Sequence, residues 1–204
     1  MTMRNRLLTS SLFTLVTLTL LTASAPPAAA QTVVLFDGRT YDMGHARVLL
    51  VPAVVTGNDY GLLGRLEYGV TDHFNLFAHL GGEFNGGGTA LAGAGWMATL
   101  HRQSDALPLN IGLFNSWIFP LKTAGPDAFI TISPVLSHRF ERSTGSALVP
   151  YGGLAAILKI GSPGTDVNAV LGLKVERIAA QWDFIAELQA GEKSQFALGF
   201  FYRF

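Results

Sequence analysis

The sequence predicts an all-β fold, a closed antiparallel transmembrane barrel, and three observations predict it. First, of 204 residues 49% are hydrophobic and only 14% are charged, against roughly a quarter charged in an ordinary soluble domain. Second, beyond residue 30 the longest uninterrupted apolar stretch is Val48 to Val55, with Pro52 inside it; a spanning helix needs about 18 such residues or more. Third, from residue 47 to the end the chain alternates with period two in successive segments, the pattern of strands with two unlike faces. An apolar chain without a spanning helix enters lipid only as a closed barrel, because hydrocarbon satisfies no free backbone N–H or C=O group. The absence of cysteine excludes a disulfide scaffold and a thiolate-ligated metal site. Fourteen basic residues against fourteen acidic ones exclude nucleic-acid binding through net positive charge.

The first thirty residues read as an address. Arg4 and Arg6 precede an uncharged run from Leu7 to Leu21, then Pro26-Pro27 and Ala28-Ala29-Ala30. This is a secretory signal with cleavage expected after Ala30. Its removal takes two positive charges, so the balanced whole chain becomes a slightly acidic mature one. Residues 31–46 are expected as an N-terminal periplasmic segment, with Asp37, Arg39, Asp42 and His45 solvated, and residues 47–204 as the barrel.

Ten strands follow in order. The first, about Arg47 to Thr56, is apolar on both faces, so its phase is ambiguous. In the second, Leu62, Leu66, Tyr68 and Val70 face lipid, opposed by Leu63, Arg65 and Glu67. Leu76, Ala78, Leu80 and Phe84 then oppose Phe77, His79, Gly81 and Glu83; Ala92, Ala94, Trp96, Ala98 and Leu100 oppose Gly93, Gly95, Thr99 and His101. Leu109, Ile111, Leu113, Trp117 and Phe119 oppose Asn110, Gly112, Phe114 and Ser116; Ile130, Ile132, Pro134 and Leu136 oppose Thr131, Ser133, Ser137 and Arg139. Leu154, Ala156, Leu158 and Ile160 oppose Tyr151, Gly153, Ala155 and Lys159; Val167, Ala169, Leu171, Leu173 and Val175 oppose Asn168, Val170, Gly172, Lys174 and Glu176. The last two set Trp182, Phe184, Ala186 and Leu188 against Asp183, Ile185, Glu187 and Gln189, and Phe196, Leu198, Phe200, Tyr202 and Phe204 against Ala197, Gly199, Phe201 and Arg203.

Turn clusters such as Gly57-Asn58-Asp59, Asn85 to Gly88 and Ser162-Pro163-Gly164 separate these segments. The connection at Ala179-Ala180-Gln181 alone lacks strong turn chemistry. Ten is even, as single-chain bacterial barrels require. Eight or twelve strands stay open, since Val33 to Phe36 can either pair or lie outside. Tyr60, Phe84, Trp117, Phe119 and Phe196 fall near one rim, and Tyr68, Phe140, Trp182, Tyr202 and Phe204 near the other. Two aromatic girdles are the expected pattern where rings meet the two interfaces. A secreted β-sandwich also alternates, but its outer face needs more polarity than these Gly, Ala and Ser positions offer.

The terminal Phe204, with Tyr202 and Phe200 before it, resembles the C-terminal signal of bacterial outer-membrane β-barrel proteins. The stretch Gly64 to Phe77, with its Gly-Val-Thr-Asp turn, resembles the hairpin those barrels repeat. The resemblance implies insertion by the barrel assembly machinery into the outer membrane of a diderm bacterium, with membrane lipid as the standing partner. It is silent about substrate. Pro52 and Pro134 depart from the pattern, because a closed barrel has no edge strand to accommodate a missing ladder donor; local bulges are expected there.

The lumen face collects Arg65, Glu67, His79, Glu83, Arg139, Lys159, Lys174, Glu176, Asp183, Glu187 and Arg203, nearly balanced in charge. In a barrel this narrow the side chains themselves fill much of the interior, so a packed, charge-compensated lumen is expected. Arg65 lies opposite His79 with Glu67 diagonal, a candidate Glu-His-Arg cluster. Inward glycines at 93, 95, 112, 153, 172 and 199 leave gaps that favour a narrow, porin-like channel for ions or small solutes as the alternative. No enzyme is expected: Ser137 and His138, adjacent in the chain, point to opposite faces. No metal site, cofactor or nucleic-acid partner is expected either.

Overall fold

The computed structural model describes residues 33–56, 59–84, 89–121, 128–143, 145–161, 164–191 and 194–204, without the side chains of Ala53, Thr56, Asp59 and Glu83. The expected signal at 1–30 lies outside the described residues.

Eleven strands form one sheet: β1 (Ala46–Thr56), β2 (Asp59–Thr71), β3 (Phe74–Glu83), β4 (Thr89–His101), β5 (Asn110–Pro120), β6 (Ala128–Ser137), β7 (Phe140–Glu141), β8 (Ala147–Ile160), β9 (Thr165–Ala179), β10 (Trp182–Ala190) and β11 (Gln195–Arg203). The two-residue β7 resumes the line of β6 along β8, so the wall has ten staves. Each stave pairs antiparallel with its chain neighbour, and β1 pairs with β11, from Arg47 opposite Arg203 to Val55 opposite Phe196. That seam closes the ring. Closure explains why strands of such apolar character stand without an exposed edge.

The outer surface carries the apolar faces, with Leu62, Leu66, Leu76, Leu80, Leu100, Leu136, Leu154, Val167 and Leu171 all exposed. Their strand neighbours Leu63, Arg65, Glu67, Phe77, His79, Val135, Asn168 and Val170 are buried. This is the reverse of a soluble β-fold and is the architecture of a transmembrane barrel. The phase of β1, ambiguous from sequence, is set with Arg47, Leu49, Val51 and Val54 inward. The change of parity between Val51 and Val54 is a bulge at Pro52, seen against both β2 and β11. Pro134 behaves otherwise: it keeps its register opposite Leu113, and the ladder to β8 skips from Ile132 to Val135 without a shift. Proline there removes a bond but inserts no residue, which corrects the expectation of a bulge.

The weak connection at Ala179 closes through a side chain. The ladder between β9 and β10 shifts between Trp182 and Phe184, Arg177 sits at φ 54°, and its N–H donates to Asp183 Oδ1 at 2.8 Å. The carboxylate thus takes over the role that Gly or Asn plays at the other turns.

Candidate functional site: a strap in the bore

Residues 33–45 form an irregular strap that starts where β1 begins and runs inward. Of the residues expected to be solvated, Asp42 and His45 are exposed and Arg39 is partly so, but Asp37 is buried to 1% exposure, together with Val33, Val34, Leu35 and Phe36. At the mouth that carries β1 and β11, Gly44 N–H donates to Gly69 O at 2.8 Å and Met43 N–H to Asp72 Oδ1 at 3.0 Å. One step inward, Thr40 N–H donates to Thr99 Oγ1 at 2.7 Å, and Thr99 Oγ1 donates to Gly38 O at 3.3 Å. Gly38, at φ 79°, meets Gly112 backbone to backbone; a Cβ on Gly112 falls 2.6 Å from Gly38 Cα. Asp37 pairs with Lys174 Nζ at 3.0 Å, and the Phe36 ring lies 6.4 Å from that of Phe114.

The inner end is held by its main chain. Glu187 accepts from Val34 N–H at 2.8 Å and Leu35 N–H at 2.6 Å. Arg65 donates Nη1 to Val34 O at 2.9 Å and Nη2 to Leu35 O at 2.6 Å. Leu35 is held at φ 42°, a region costing a leucine about 1–3 kcal/mol. Four hydrogen bonds to charged groups, each contributing about 1.5–3 kcal/mol net, outweigh that cost. The clamp is itself braced: Glu187 also accepts from Tyr151 Oη at 2.9 Å and Gln189 Nε2 at 3.0 Å. Arg65 Nε donates to Glu67 Oε1 at 2.8 Å, and Glu67 pairs on its other side with Arg47. The strap therefore touches β2, β4, β5, β9 and β10. A segment bonded to staves around the ring lies inside it.

Three parts of the predicted lumen set converge here: Arg65 with Glu67, Lys174, and Glu187. A second group gathers at the mouth, where Arg139 Nε is 2.9 Å from Glu176 Oε2 and pairs also with Glu141, while Arg203 Nη2 lies 3.1 Å from Asp183. Arg139, Glu176, Asp183 and Arg203, with Arg39 and Arg47, line a polar cavity of about 320 Å³. Lys159 stands apart, 2.9 Å from Asp166 near the opposite mouth. The Glu83 side chain lies outside those described. His79 faces Arg65 across the ladder, yet the Glu-His-Arg cluster does not form. Glu67 turns to Arg47 and Arg65 instead, and the His79 ring lies tilted beside that of Phe77, centroids 5.7 Å apart. A lone imidazole competes poorly with two guanidinium forks for one carboxylate.

The inward glycines are occupied rather than open. A Cβ on Gly93 falls 2.0 Å from His79 Nε2, one on Gly95 2.5 Å from Phe77 Cζ, and one on Gly172 2.0 Å from Tyr151 Cζ. Each large side chain leans over the glycine of its neighbouring stave. Beyond the strap, Leu91, Ile118, Phe129 and Ile157 form a second buried apolar cluster.

Sequence reasoning missed Arg47 and the strap. Arg47 is buried between the rings of Tyr41 and Phe201, 4.5 and 4.0 Å from their centroids. The signal for the strap was Val33 to Phe36, an apolar run too short to span and too apolar to stay in water. On the outer wall, Tyr60 stacks with Phe84 at 5.9 Å near one rim, and Trp182 meets Tyr202 at 5.0 Å near the other. Tyr68, Trp117, Phe119, Phe140 and Phe204 are exposed, and Phe196 is partly so. Ser137 and His138 face opposite sides: Ser137 is buried and accepts from Asn110, and His138 reaches Pro108 O. Among the described residues, no three His, Asp or Glu side chains converge as metal ligands.

No family model matches the chain, and no curated protein does. Among solved structures, a de novo designed transmembrane β-barrel is similar over 81% of this chain and 99% of its own, at 14% identity and TM-score 0.41. The KdgM porin is similar over 78% of this chain and 99% of its own, at 10% identity and TM-score 0.40.

Proposed function

We propose that this protein is an integral outer-membrane β-barrel of the structural, narrow-bore type, held closed by its own N-terminal strap. The observation that carries the reading is the four-bond clamp of Arg65 and Glu187 on residues 34–35, deep in the bore. The ion pairs inside the wall are compensated rather than left as a ladder of free charge, which supports a packed lumen over a selectivity filter. The outward apolar face and the two aromatic zones support residence in a bilayer. The Arg4–Ala30 pattern supports export through a cleaved signal, and Phe200, Tyr202 and Phe204 support recognition by the barrel assembly machinery. The opposed faces of Ser137 and His138 support a non-enzymatic role.

Planar-bilayer recording tests the reading. The purified protein is expected to show no steady conductance, and Glu187→Ala, which releases two strap amides, to show discrete openings. Steady conductance by the unaltered protein overturns closure and favours the second reading, a small-solute channel.

A further inference from the structure

We infer that the bore is a peptide-binding site, occupied in cis by residues 33–36, whose ligand class is an apolar peptide segment recognised through its main chain. The inference rests on the closed-bore reading and deepens it. Recognition at the inner end goes through backbone atoms: Glu187 takes the N–H groups of residues 34 and 35, and Arg65 takes their carbonyls. None of these four bonds depends on a side chain of the strap. The surrounding pocket supplies the rest, an apolar lining that includes Phe77, Phe114, Val135 and Ile185. This is the general design of peptide receptors, in which main-chain bonds supply affinity and pockets for the side chains supply selectivity.

The clamp also stands independently of its occupant. Glu187 is braced by Tyr151 and Gln189, and Arg65 by Glu67. These partners belong to the wall, so the charged pair stays aimed into the bore when the strap leaves. Among the described residues the strap is covalently joined to the wall only at β1, and its other attachments are hydrogen bonds and ion pairs. Nothing in the ring has to open for a second peptide of the same chemistry to take its place.

The test uses the full chain with Val33→Ser, Val34→Pro, Leu35→Pro and Phe36→Ser, which removes both clamped N–H groups and the apolar side chains, its fold verified by heat-modifiable gel mobility. In planar bilayers this variant is expected to conduct. A synthetic peptide with the sequence of residues 33–41 is expected to block that current saturably. The same peptide N-methylated at its Val34 and Leu35 amides is expected to block at least about tenfold more weakly, the loss that one or two charge-assisted bonds implies. Equal block by the N-methylated peptide, or no block by either, overturns the binding site. A variant that folds and does not conduct overturns closure by the strap instead, so the two failures are distinguishable. Should the fourfold variant not fold, Val34→Pro removes one clamped N–H with a single change and is read the same way.

Discussion

Tyr151 stands directly over Gly172 in the neighbouring stave, so close that a Cβ on residue 172 falls 2.0 Å from the ring's Cζ. The ring cannot simply swing aside, because its hydroxyl donates to Glu187 at 2.9 Å. A wall glycine, the tyrosine above it and the strap clamp are therefore one mechanical unit.

Gly172→Ala is expected to destabilise the barrel by about 1–3 kcal/mol, the usual cost of overpacking a filled interior. Loss of the heat-resistant gel form at lower temperature or lower urea concentration measures it. Combining it with Tyr151→Leu is expected to cost less than the two separate changes added together, because the residues contact one another.

Asp37 and Lys174 form a pair almost wholly removed from solvent, 1% and 5% exposed. Lys174→Met leaves the buried Asp37 carboxylate without its ion-pair partner and is expected to cost about 3–5 kcal/mol; Asp37→Asn, after which Lys174 keeps Glu176 at 3.4 Å, is expected to cost less, and the double change less than Lys174→Met alone. Hydrogen exchange of the Val34 and Leu35 amides reports the strap specifically, and protection there is expected to fall in both single variants. A double change that costs the sum of the two single changes would argue that the pair is not coupled.

Gly38→Ala places a side chain at φ 79° in the narrow gap beside Val135 O and Gly112 N, 3.4 and 3.5 Å from its Cβ. Space suffices; the backbone conformation does not suit alanine. A cost of about 1 kcal/mol is expected, read as faster exchange of residues 33–40 with the wall amides unchanged.

Export has its own measurement. The mass of the protein extracted from outer membranes is expected to correspond to a chain beginning at Gln31. Deletion of Phe204 is expected to lower the amount of heat-modifiable barrel there while leaving the same signal processing.

The wall was legible in the sequence because it is written locally. In β2 the alternation of Leu62, Leu66 and Tyr68 with Leu63, Arg65 and Glu67 matches the exposed and buried sides residue by residue. A two-residue turn and the register shift between Gly69 and Thr71 together set Arg65 opposite His79. Pattern failed wherever partners lie far apart. Glu187 reaches Val34 across 153 positions, and no periodicity encodes that meeting. β1 failed for another reason: the bulge at Pro52 switches its inward parity from Leu49 and Val51 to Val54, so no single phase describes it. The inward glycines misled in a third way. Small residues signal room, but here the room belongs to the neighbour's Tyr151, Phe77 or His79.

The strap also bears on how the ring assembles. Nine of the ten wall pairings join chain neighbours and form as local hairpins or short returns, whereas the β1–β11 seam joins the two ends of the barrel sequence. Bringing such distant segments together is the slow, entropically unfavourable step for a β topology. The bonds of Val34 and Leu35 to Glu187, and of Asp37 to Lys174, link the same distant parts of the chain. Once the strap docks on β9 and β10, β1 is already tethered near β11, and most of the entropy of closing the circle has been lost. The segment that fills the finished bore is thus also placed to act earlier, as the drawstring that brings the last two staves together.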